Sequence, residues 1–466
     1  MGAVMAFCGI CLLLVAGKVL RVVVPLLQRL YLPASVIGGL LGLVVVSIAG
    51  EGVSRDWYAP WGAFPGFLIN IVFAALFLGV KHDDGASPGK PWALVAPQVC
   101  FGQMLAWGQY VVGLGLCLFL LTPLYGVPAV FGNLIEIGFE GGHGTVGGLG
   151  DTFAQLGWAE GKDLGYTVAT VGMLLGIVIG MAMVNVAARR GYVGGIRAYS
   201  DQSRLEKIGV YPEHAQPGAG KQTVYPDSID SLALHIALIG VAILIGCFLK
   251  AGLSGLDAYA PQALRDTRLL QSFPLFPLCM VGGLLLRAIL RRTRTDVVAD
   301  AGQMQRIAGT ALDFLVVSAV ASIRLDFVAD YWQPLLWLCL AGTAWNVLCV
   351  LYVAPRMFRE AWFERSIAEF GQSMGVTATG LMLLRTVDPE SRTPAAAAFG
   401  YKQLFHEPFM GGGFWTSLAV PLAVTWGGGK LLAVCAVALA AWVAVWLAWF
   451  RVKPTGRRPR PPAFRR

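Results

Sequence analysis

The chain has 466 residues, of which 56% are hydrophobic and only 14% are charged, and its mean hydropathy is +0.65. A soluble domain carries roughly 25% charged residues, so this composition excludes an ordinary soluble protein and indicates an integral protein of the lipid bilayer. The net charge of +9 does not indicate a nucleic-acid partner, because the lysines and arginines are concentrated in a few loops and the tail, as cytoplasmic loops require.

The first half of the chain, residues 1–187, predicts five transmembrane helices and one hairpin. The N-terminal apolar run has no basic residue before it and is followed by Lys18 and Arg21, so we interpret it as a span that starts outside, not as a signal peptide. Prolines 123 and 128 break the chain before the predicted hairpin at 127–160. The predicted spans lie at about 3–24, 33–49, 64–80, 92–121 and 163–187.

The second half, residues 231–424, repeats this plan after a hydrophilic segment at 188–230 that we interpret as a cytoplasmic linker. Five spans in each half invert the second half, so the two hairpins enter the membrane from opposite sides. Residues 425–466 add one further span and a basic tail, which predicts a cytoplasmic C-terminus. The predicted elements of the second half are spans at about 231–249, 273–290, 307–323, 332–353 and 394–424, and a hairpin at 364–392.

The most unusual stretch, at 138–149, holds six glycines, one carboxylate and one imidazole between apolar runs. Each glycine costs about 1 kcal/mol in a helix interior relative to alanine, so we expect non-helical backbone at membrane depth, inside protein or along a watery cavity. A second small and polar stretch lies at 370–380, and aligning Phe139 with Phe370 places Gly144 on Gly375. Two such interruptions in corresponding halves indicate a transporter binding site, although a simple periplasmic loop is the alternative for the first.

Exposed amides and hydroxyls at these two stretches suit a carboxylate ligand. The glycines could instead serve only the close packing of the tip. The imidazole of His143 would donate to the substrate, titrate, or simply pin the tip. The predicted substrate-binding residues are Gly141, Gly142, His143, Gly144, Thr145, Ser373 and Gly375.

Ionisable groups inside spans are functional candidates, and hydroxyl oxygens are the hard ligands that sodium prefers. Asp313 lies in the eighth predicted span, and His406 and Glu407 lie in the tenth unless that span begins later. The predicted ion-coupling residues are Glu140, Thr377, Thr379, Asp313 and Glu407, with Na⁺ or H⁺ as the coupling ion. The hydroxyls could also serve helix packing alone. The sequence shows no catalytic residue set and predicts no bound cofactor.

The run at 140–145, Glu-Gly-Gly-His-Gly-Thr, resembles the Ser-Gly-Gly-His-Gly-Thr signature of bacterial sodium/glutamate symporters. The segment at 33–40 is similar to that family's Pro-Glu-Pro-Val-Ala-Gly-Gly-Leu, and the second hairpin to its Gly-Leu-Gly-Ala-Thr-Pro-Thr-Ala. The resemblance runs from about 10 to 424, with four departures. Glu140 replaces a serine, 377–379 lacks a proline, 406–408 replaces apolar residues, and 415–416 replaces an acidic one.

The resemblance implies a homodimeric carrier of the bacterial inner membrane, in which a hairpin-bearing domain moves against a scaffold as an elevator. We therefore predict an all-α polytopic transporter with inverted repeats that carries glutamate or a related small carboxylate, coupled to Na⁺ or H⁺. A proton-coupled organic-acid exporter on the same fold is one alternative. An intramembrane enzyme using Glu140 and His143 is a more distant one, since HExxH and nucleophile-elbow motifs are absent.

Glu140 conflicts with a site for an anion. Two like charges about 4 Å apart repel by roughly 4 kcal/mol at an effective dielectric of 20. We therefore expect Glu140 to be protonated, to bind the coupling cation, or to turn outward towards a scaffold residue.

Overall fold

Every regular element in the described part of the chain is a helix, which confirms the predicted all-α class. The computed structural model describes residues 2–30, 32–49, 55–78, 90–193, 208–213, 216–218, 220–256, 259, 269–388 and 392–452. Within these ranges, eight helices are long and apolar enough to span a membrane, which confirms a polytopic membrane protein. They are Val4–Val23, Ala59–Leu76, Trp92–Tyr125, Gly161–Arg189, Ser231–Leu256, Ala301–Ala321, Trp332–Arg356 and Gly428–Phe450.

Shorter helices stand between the long ones in chain order. The helices of the first half are Gly2–Val23, Pro25–Arg29, Ala34–Ala49, Arg55–Tyr58, Ala59–Ala63, Phe64–Leu78, Lys90–Leu116, Cys117–Leu121, Thr122–Tyr125, Ala129–Asn133, Glu136–Glu140, Gly142–Gly148, Gly150–Gln155 and Gly161–Arg189. Those of the second half are Ser231–Leu256, Leu269–Ser272, Phe276–Arg292, Asp296–Val298, Ala301–Ala321, Leu325–Asp330, Trp332–Leu348, Cys349–Val353, Ala354–Arg356, Trp362–Val387, Ala395–His406, Phe414–Thr425, Gly428–Val445 and Trp446–Phe450.

The long helices pack as two groups, and each group takes helices from both halves of the chain. The outer group consists of Gly2–Val23, Ala34–Ala49, Phe64–Leu78, Ser231–Leu256, Phe276–Arg292 and Ala301–Ala321. The hairpin group consists of Lys90–Leu116, the segment 129–155, Gly161–Arg189, Trp332–Leu348, Trp362–Val387, Ala395–His406, Phe414–Thr425 and Gly428–Val445. Small residues allow close approach within each group: a Cβ at Gly17 would lie 2.2 Å from the carbonyl oxygen of Ala34.

Part of the predicted linker, which is described only at 188–193, 208–213, 216–218 and 220–230, packs across one end of the outer group. Lys18 donates from Nζ to the carbonyls of Ile208, at 3.0 Å, and Gly209, at 2.8 Å. Asp300 caps the helix Ala301–Ala321 by accepting from the amide of Gln303 at 3.0 Å, and it also accepts from the amide of Lys221 at 3.1 Å. We call this end of the molecule the linker face.

The same capping bonds set the charge state of Asp300. Partial burial raises its pKa, but the bonds from the backbone amides of Lys221 and Gln303 outweigh burial and hold the pKa below its ordinary value. Asp300 therefore stays ionised and keeps the linker attached to the start of the helix.

The prediction of non-helical backbone across 138–149 is wrong for most of that segment. The segment is helical apart from a break at Gly141 and Gly142, where Gly142 takes a left-handed φ of +71°. Helical backbone satisfies its own amides, so burial favours it in spite of the glycine content. In the second hairpin the helix Trp362–Val387 is interrupted at Gly375 and Val376, three residues later than aligning Phe139 with Phe370 would place it.

The predicted span at 394–424 is not one helix. It divides into Ala395–His406 and Phe414–Thr425, with an irregular segment at 407–413 between them. Pro408 lacks an amide hydrogen, and Gly411 and Gly412 take φ values of +66° and +104°. A third helix break therefore lies in a region that we expected to be continuous.

Candidate functional site

The two hairpin breaks meet in the interior of the hairpin group. A Cβ built on Gly142 would lie 2.5 Å from Cγ1 of Val376, and one built on Gly375 would lie 2.9 Å from Cα of Met173. Val376 itself has a φ of +61°, which is a strained conformation for a β-branched residue. Only a glycine at 142 allows the two tips to touch.

The third break contacts the first hairpin through Glu136, which is fully buried. One carboxylate oxygen accepts from the amide of Gly411 at 2.9 Å and from Oγ1 of Thr416 at 2.7 Å. The other accepts from the hydroxyl of Tyr110 at 2.5 Å. A carboxylate with three donors is stabilised in a site that water does not reach.

His406 and Glu140 form a hydrogen bond between Nε2 and Oε1, and neither side chain is exposed to solvent. Trp107 donates from Nε1 to Oε1 of Gln103 at 3.0 Å, which fixes the orientation of that amide. The NH₂ group of Gln103 then faces Nδ1 of His406 at 3.2 Å, so Nδ1 accepts. The proton of the neutral imidazole therefore sits on Nε2 and points at Glu140.

The second oxygen of the Glu140 carboxylate is buried and has no hydrogen-bond partner among the described residues. The hydroxyl of Ser373 on the second hairpin is likewise buried without a partner there. Buried polar atoms are normally hydrogen-bonded. The carboxylate oxygen of Glu140 can therefore accept a hydrogen bond, a cation or a proton, and the hydroxyl of Ser373 can bond to a ligand or an ion.

One turn before His406, Lys402 forms an ion pair that is completely buried. Its Nζ lies 2.9 Å from Oε2 of Glu369 and donates to Oε1 of Gln372 at 3.1 Å. Gln98 donates to the other oxygen of Glu369 at 2.8 Å. Gly102 makes room for the lysine, since a Cβ there would lie 2.5 Å from Cε of Lys402.

Thr377, directly after the second break, connects to the third break. Its hydroxyl donates to Oε1 of Glu407 at 2.7 Å, and Gln403 donates to the same oxygen at 3.1 Å. The three breaks are thus joined by side chains around one polar centre inside an apolar helix group.

Similarity to known proteins assigns the chain to a family. The model of the sodium/glutamate symporter family matches residues 1–390 of the chain. The chain belongs to the sodium/glutamate symporter family. No curated protein and no solved structure matches it. The matched region of the symporter includes both hairpin breaks, whereas Lys402, His406 and Glu407 lie beyond it.

Several of the predicted substrate-binding residues make hydrogen bonds or packing contacts that hold the first hairpin of the symporter in place. His143 bonds to Thr170 at 2.9 Å, and because Thr170 donates to the carbonyl of Tyr166, Nε2 of His143 is the donor. It therefore pins the first hairpin to the helix Gly161–Arg189. The hydroxyl of Thr145 donates to the carbonyl of Gly141 at 2.9 Å. Gly144 faces Ile69 of the outer group, since a Cβ built on Gly144 would lie 2.5 Å from Cδ1 of Ile69.

The predicted ion-coupling residues divide into two sets. Glu140, Thr377 and Glu407 lie at the polar centre, and Thr379 is one turn away, donating to the carbonyl of Gly375 at 2.5 Å. Asp313 is exposed on the outer-group helix Ala301–Ala321, and the structure does not bring it to the centre.

Several central residues of the symporter were missed by the sequence analysis: Tyr110, Gln98, Gln103, Glu136, Glu369, Lys402 and Thr416. A usable signal existed, because Glu136, Glu369 and Lys402 are ionisable groups within predicted membrane segments, the same property that singled out Asp313 and Glu407. Glu136 also lies four residues before Glu140, on the same face of a helix.

Proposed function

We propose that this protein carries glutamate, or a closely related small carboxylate, across the bacterial inner membrane in symport with a cation. The observation that carries the proposal is the meeting of three helix breaks at one buried polar centre. Interrupted helices at membrane depth are how transporters expose backbone and side-chain groups to a cargo. Membership of the sodium/glutamate symporter family supports glutamate and sodium as the first solutes to test.

The charge balance of the centre supports coupling to a cation. The centre holds four carboxyl groups: Glu136, Glu140, Glu369 and Glu407. Its two permanent cations both lie on the side of Glu369, because Lys402 pairs with Glu369 and Arg365 donates from Nε to Oε1 of Gln98, which itself bonds Glu369. Uncompensated carboxylates in a low-dielectric interior are costly. A cation or proton loaded at the centre lowers that cost and reduces the repulsion of an acidic cargo, so cation and anion are expected to load together.

An elevator movement is supported by the division into two helix groups. Their contact is rich in glycine on the hairpin side: Gly144 packs on Ile69, Gly148 on Phe276, and Gly147 on Pro65. Surfaces of small residues present few interlocking side chains, which lets one group slide along the other. The hairpin group, with all three breaks, would be the moving part.

The proposal is tested by uptake of radiolabelled glutamate into proteoliposomes, with the sodium gradient and the proton gradient each dissipated separately. Saturable uptake that requires the sodium gradient is expected. Flux that does not saturate would indicate a channel, and product formation in detergent without any gradient would indicate an enzyme. Thermal unfolding with glutamate, with and without sodium, provides a binding readout, since a ligand of the folded state raises stability by RT ln(1 + [L]/Kd).

A proton is the second candidate for the coupling ion, and the contact between His406 and Glu140 favours it. An imidazole N–H aimed at a carboxylate is a ready path for a proton. The groups that face this pair are Gln103 on Nδ1 of His406, Lys402 one turn earlier, Glu407 beside it, and Glu136 one turn before Glu140. Uptake driven by a proton gradient in sodium-free buffer would establish this alternative.

The orientation that we propose places the linker face in the cytoplasm and the N-terminus outside. Basic residues gather at the linker face, as the positive-inside rule requires: Lys18, Arg21, Arg189, Arg190, Arg291, Arg292 and Arg356. The basic tail at 453–466 lies outside the described residues. We also propose a homodimer, as expected for the family, and light scattering of the purified protein checks it.

A further inference from the structure

A cavity of about 610 Å³ lies between the outer group and the hairpin group, on the face opposite the linker. Its outer-group wall comes from the start of the helix Phe64–Leu78 and from the end of Ser231–Leu256, a helix whose first residue lies at the linker face. Its other wall is the returning arm of the first hairpin, around Gly147 and Asp151. Ligand sites in proteins are commonly roughly 300–1,000 Å³, so the cavity has the size of a small-molecule site.

Two ammonium groups line this cavity. Lys162 of the hairpin group donates from Nζ to the carbonyl of Gly62 in the outer group at 2.5 Å. Lys250 donates to the carbonyls of Gln271, at 2.7 Å, and Phe273. An ammonium carries three donors, so these bonds leave N–H groups on both lysines for an anion. Asp151 interacts electrostatically with both lysines.

The floor of the cavity separates it from the polar centre by a thin aromatic layer. Phe276 lines the cavity and covers Gly148, since a Cβ built on Gly148 would lie 2.3 Å from Cδ1 of the Phe276 ring. The same ring packs edge-on against Phe73, with ring centroids 4.9 Å apart. Cζ of Phe73 would lie 3.2 Å from a Cβ built on Gly412 in the third break. A solute in the cavity is therefore two phenylalanine rings away from the breaks.

We propose that this cavity is a capture site for an acidic amino acid on its way to the polar centre. The two ammonium groups and one carboxylate of the cavity are opposite in charge to the two carboxylates and one ammonium of an acidic amino acid. The lysines would bind the carboxylates, and Asp151 would bind the α-ammonium. The inference rests on the proposed function, because it names the solute of that transport path, but the cavity is a separate site.

The first test removes the two positive charges by the double substitution Lys162→Gln/Lys250→Gln. The KM for glutamate uptake should rise about tenfold, because two charged contacts are lost. Lys430→Gln is the matched control. It is an exposed lysine on the same face, near the contact of Gly428 with Ala129, and it should leave KM unchanged. Lys162→Arg/Lys250→Arg should retain most of the affinity.

The second test concerns Asp151, which should distinguish glutamate from glutarate, the same dicarboxylate without the ammonium. Competition by glutarate against labelled glutamate should strengthen several-fold in Asp151→Asn. An unchanged ratio of the two affinities would exclude Asp151 from the site and overturn the assignment of the ammonium.

The third test uses calorimetry with L-glutamate to distinguish binding in the cavity from binding at the polar centre. Gly142→Val blocks the hairpin tips, so residual binding to that variant reports the cavity, and adding the two lysine substitutions should abolish it. Equal binding by both variants, or binding by neither, overturns the proposal. If the wild type transports glutamate and the double lysine variant has an unchanged KM, the capture site is refuted while the proposed function stands. If the wild type transports no carboxylate, the proposed function fails, and calorimetry alone shows whether the cavity binds glutamate.

Discussion

The contact between the hairpin tips makes Gly142→Val the sharpest test of the polar centre. The new Cβ would lie 2.5 Å from Cγ1 of Val376, well inside ordinary contact distance, and the backbone at 142 has a φ of +71°. A left-handed conformation costs a non-glycine residue roughly 1–2 kcal/mol, and overpacking costs roughly 1–3 kcal/mol. The state with closed tips should therefore lose about 2–5 kcal/mol in total.

That loss predicts a large effect on transport. Since about 1.4 kcal/mol is a factor of ten, initial uptake should fall by roughly thirtyfold to more than a thousandfold. Gly115→Val is the matched control, because a Cβ at Gly115 has no atom within 4 Å, and its uptake should stay near that of the wild type. Val376→Gly removes the partner atoms and its own strained φ, so it should recover part of the activity of Gly142→Val.

The measurement is initial uptake in proteoliposomes, with size-exclusion profile and thermal unfolding as checks that each variant folds and assembles. Near-normal uptake by Gly142→Val would refute the reasoning, because the tips would then not need to meet. Equal losses in Gly142→Val and Gly115→Val would show that added bulk anywhere in these helices is harmful, and the argument from tip contact would fail.

Three further predictions follow from the buried charges and from the topology. Glu140→Gln should keep the fold and still bind substrate in a thermal-shift assay, yet uptake should lose its dependence on the cation gradient; uptake that follows the sodium or proton gradient as in the wild type would leave Glu140 without a role in coupling. Lys402→Met should lower the free energy of unfolding by about 3–5 kcal/mol because it removes the ion-pair partner of the buried Glu369, and adding Glu369→Gln should restore most of that loss. If Lys402→Met unfolds in detergent at the same temperature as the wild type, this expectation is contradicted. A fluorescent protein fused after Arg466 should fluoresce and alkaline phosphatase fused there should be inactive, and the reverse pattern would contradict the cytoplasmic C-terminus.

The membrane helices and the first two helix breaks are determined by local chemistry, so they can be predicted from the sequence. Long apolar runs must be membrane helices, because only a helix satisfies its own backbone in lipid. Glycine at 141 and 142, and again at 375, marks where the first two helix breaks lie. The same reasoning applied to Pro408 and the glycines at 411–413 would have located the third break, but the apolar residues around it favoured a continuous span.

Only the tertiary structure decided which groups face one another. Glu140 and His406 are separated by 266 positions in the chain, and Glu136 and Thr416 by 280. The helix Lys90–Leu116 has no distinctly polar side, so its sequence does not show which of its residues, among them Gln98, Gln103 and Tyr110, face the polar centre. The rotation of such a helix is set by close packing against its neighbours, and that packing depends on contacts between residues far apart in the chain.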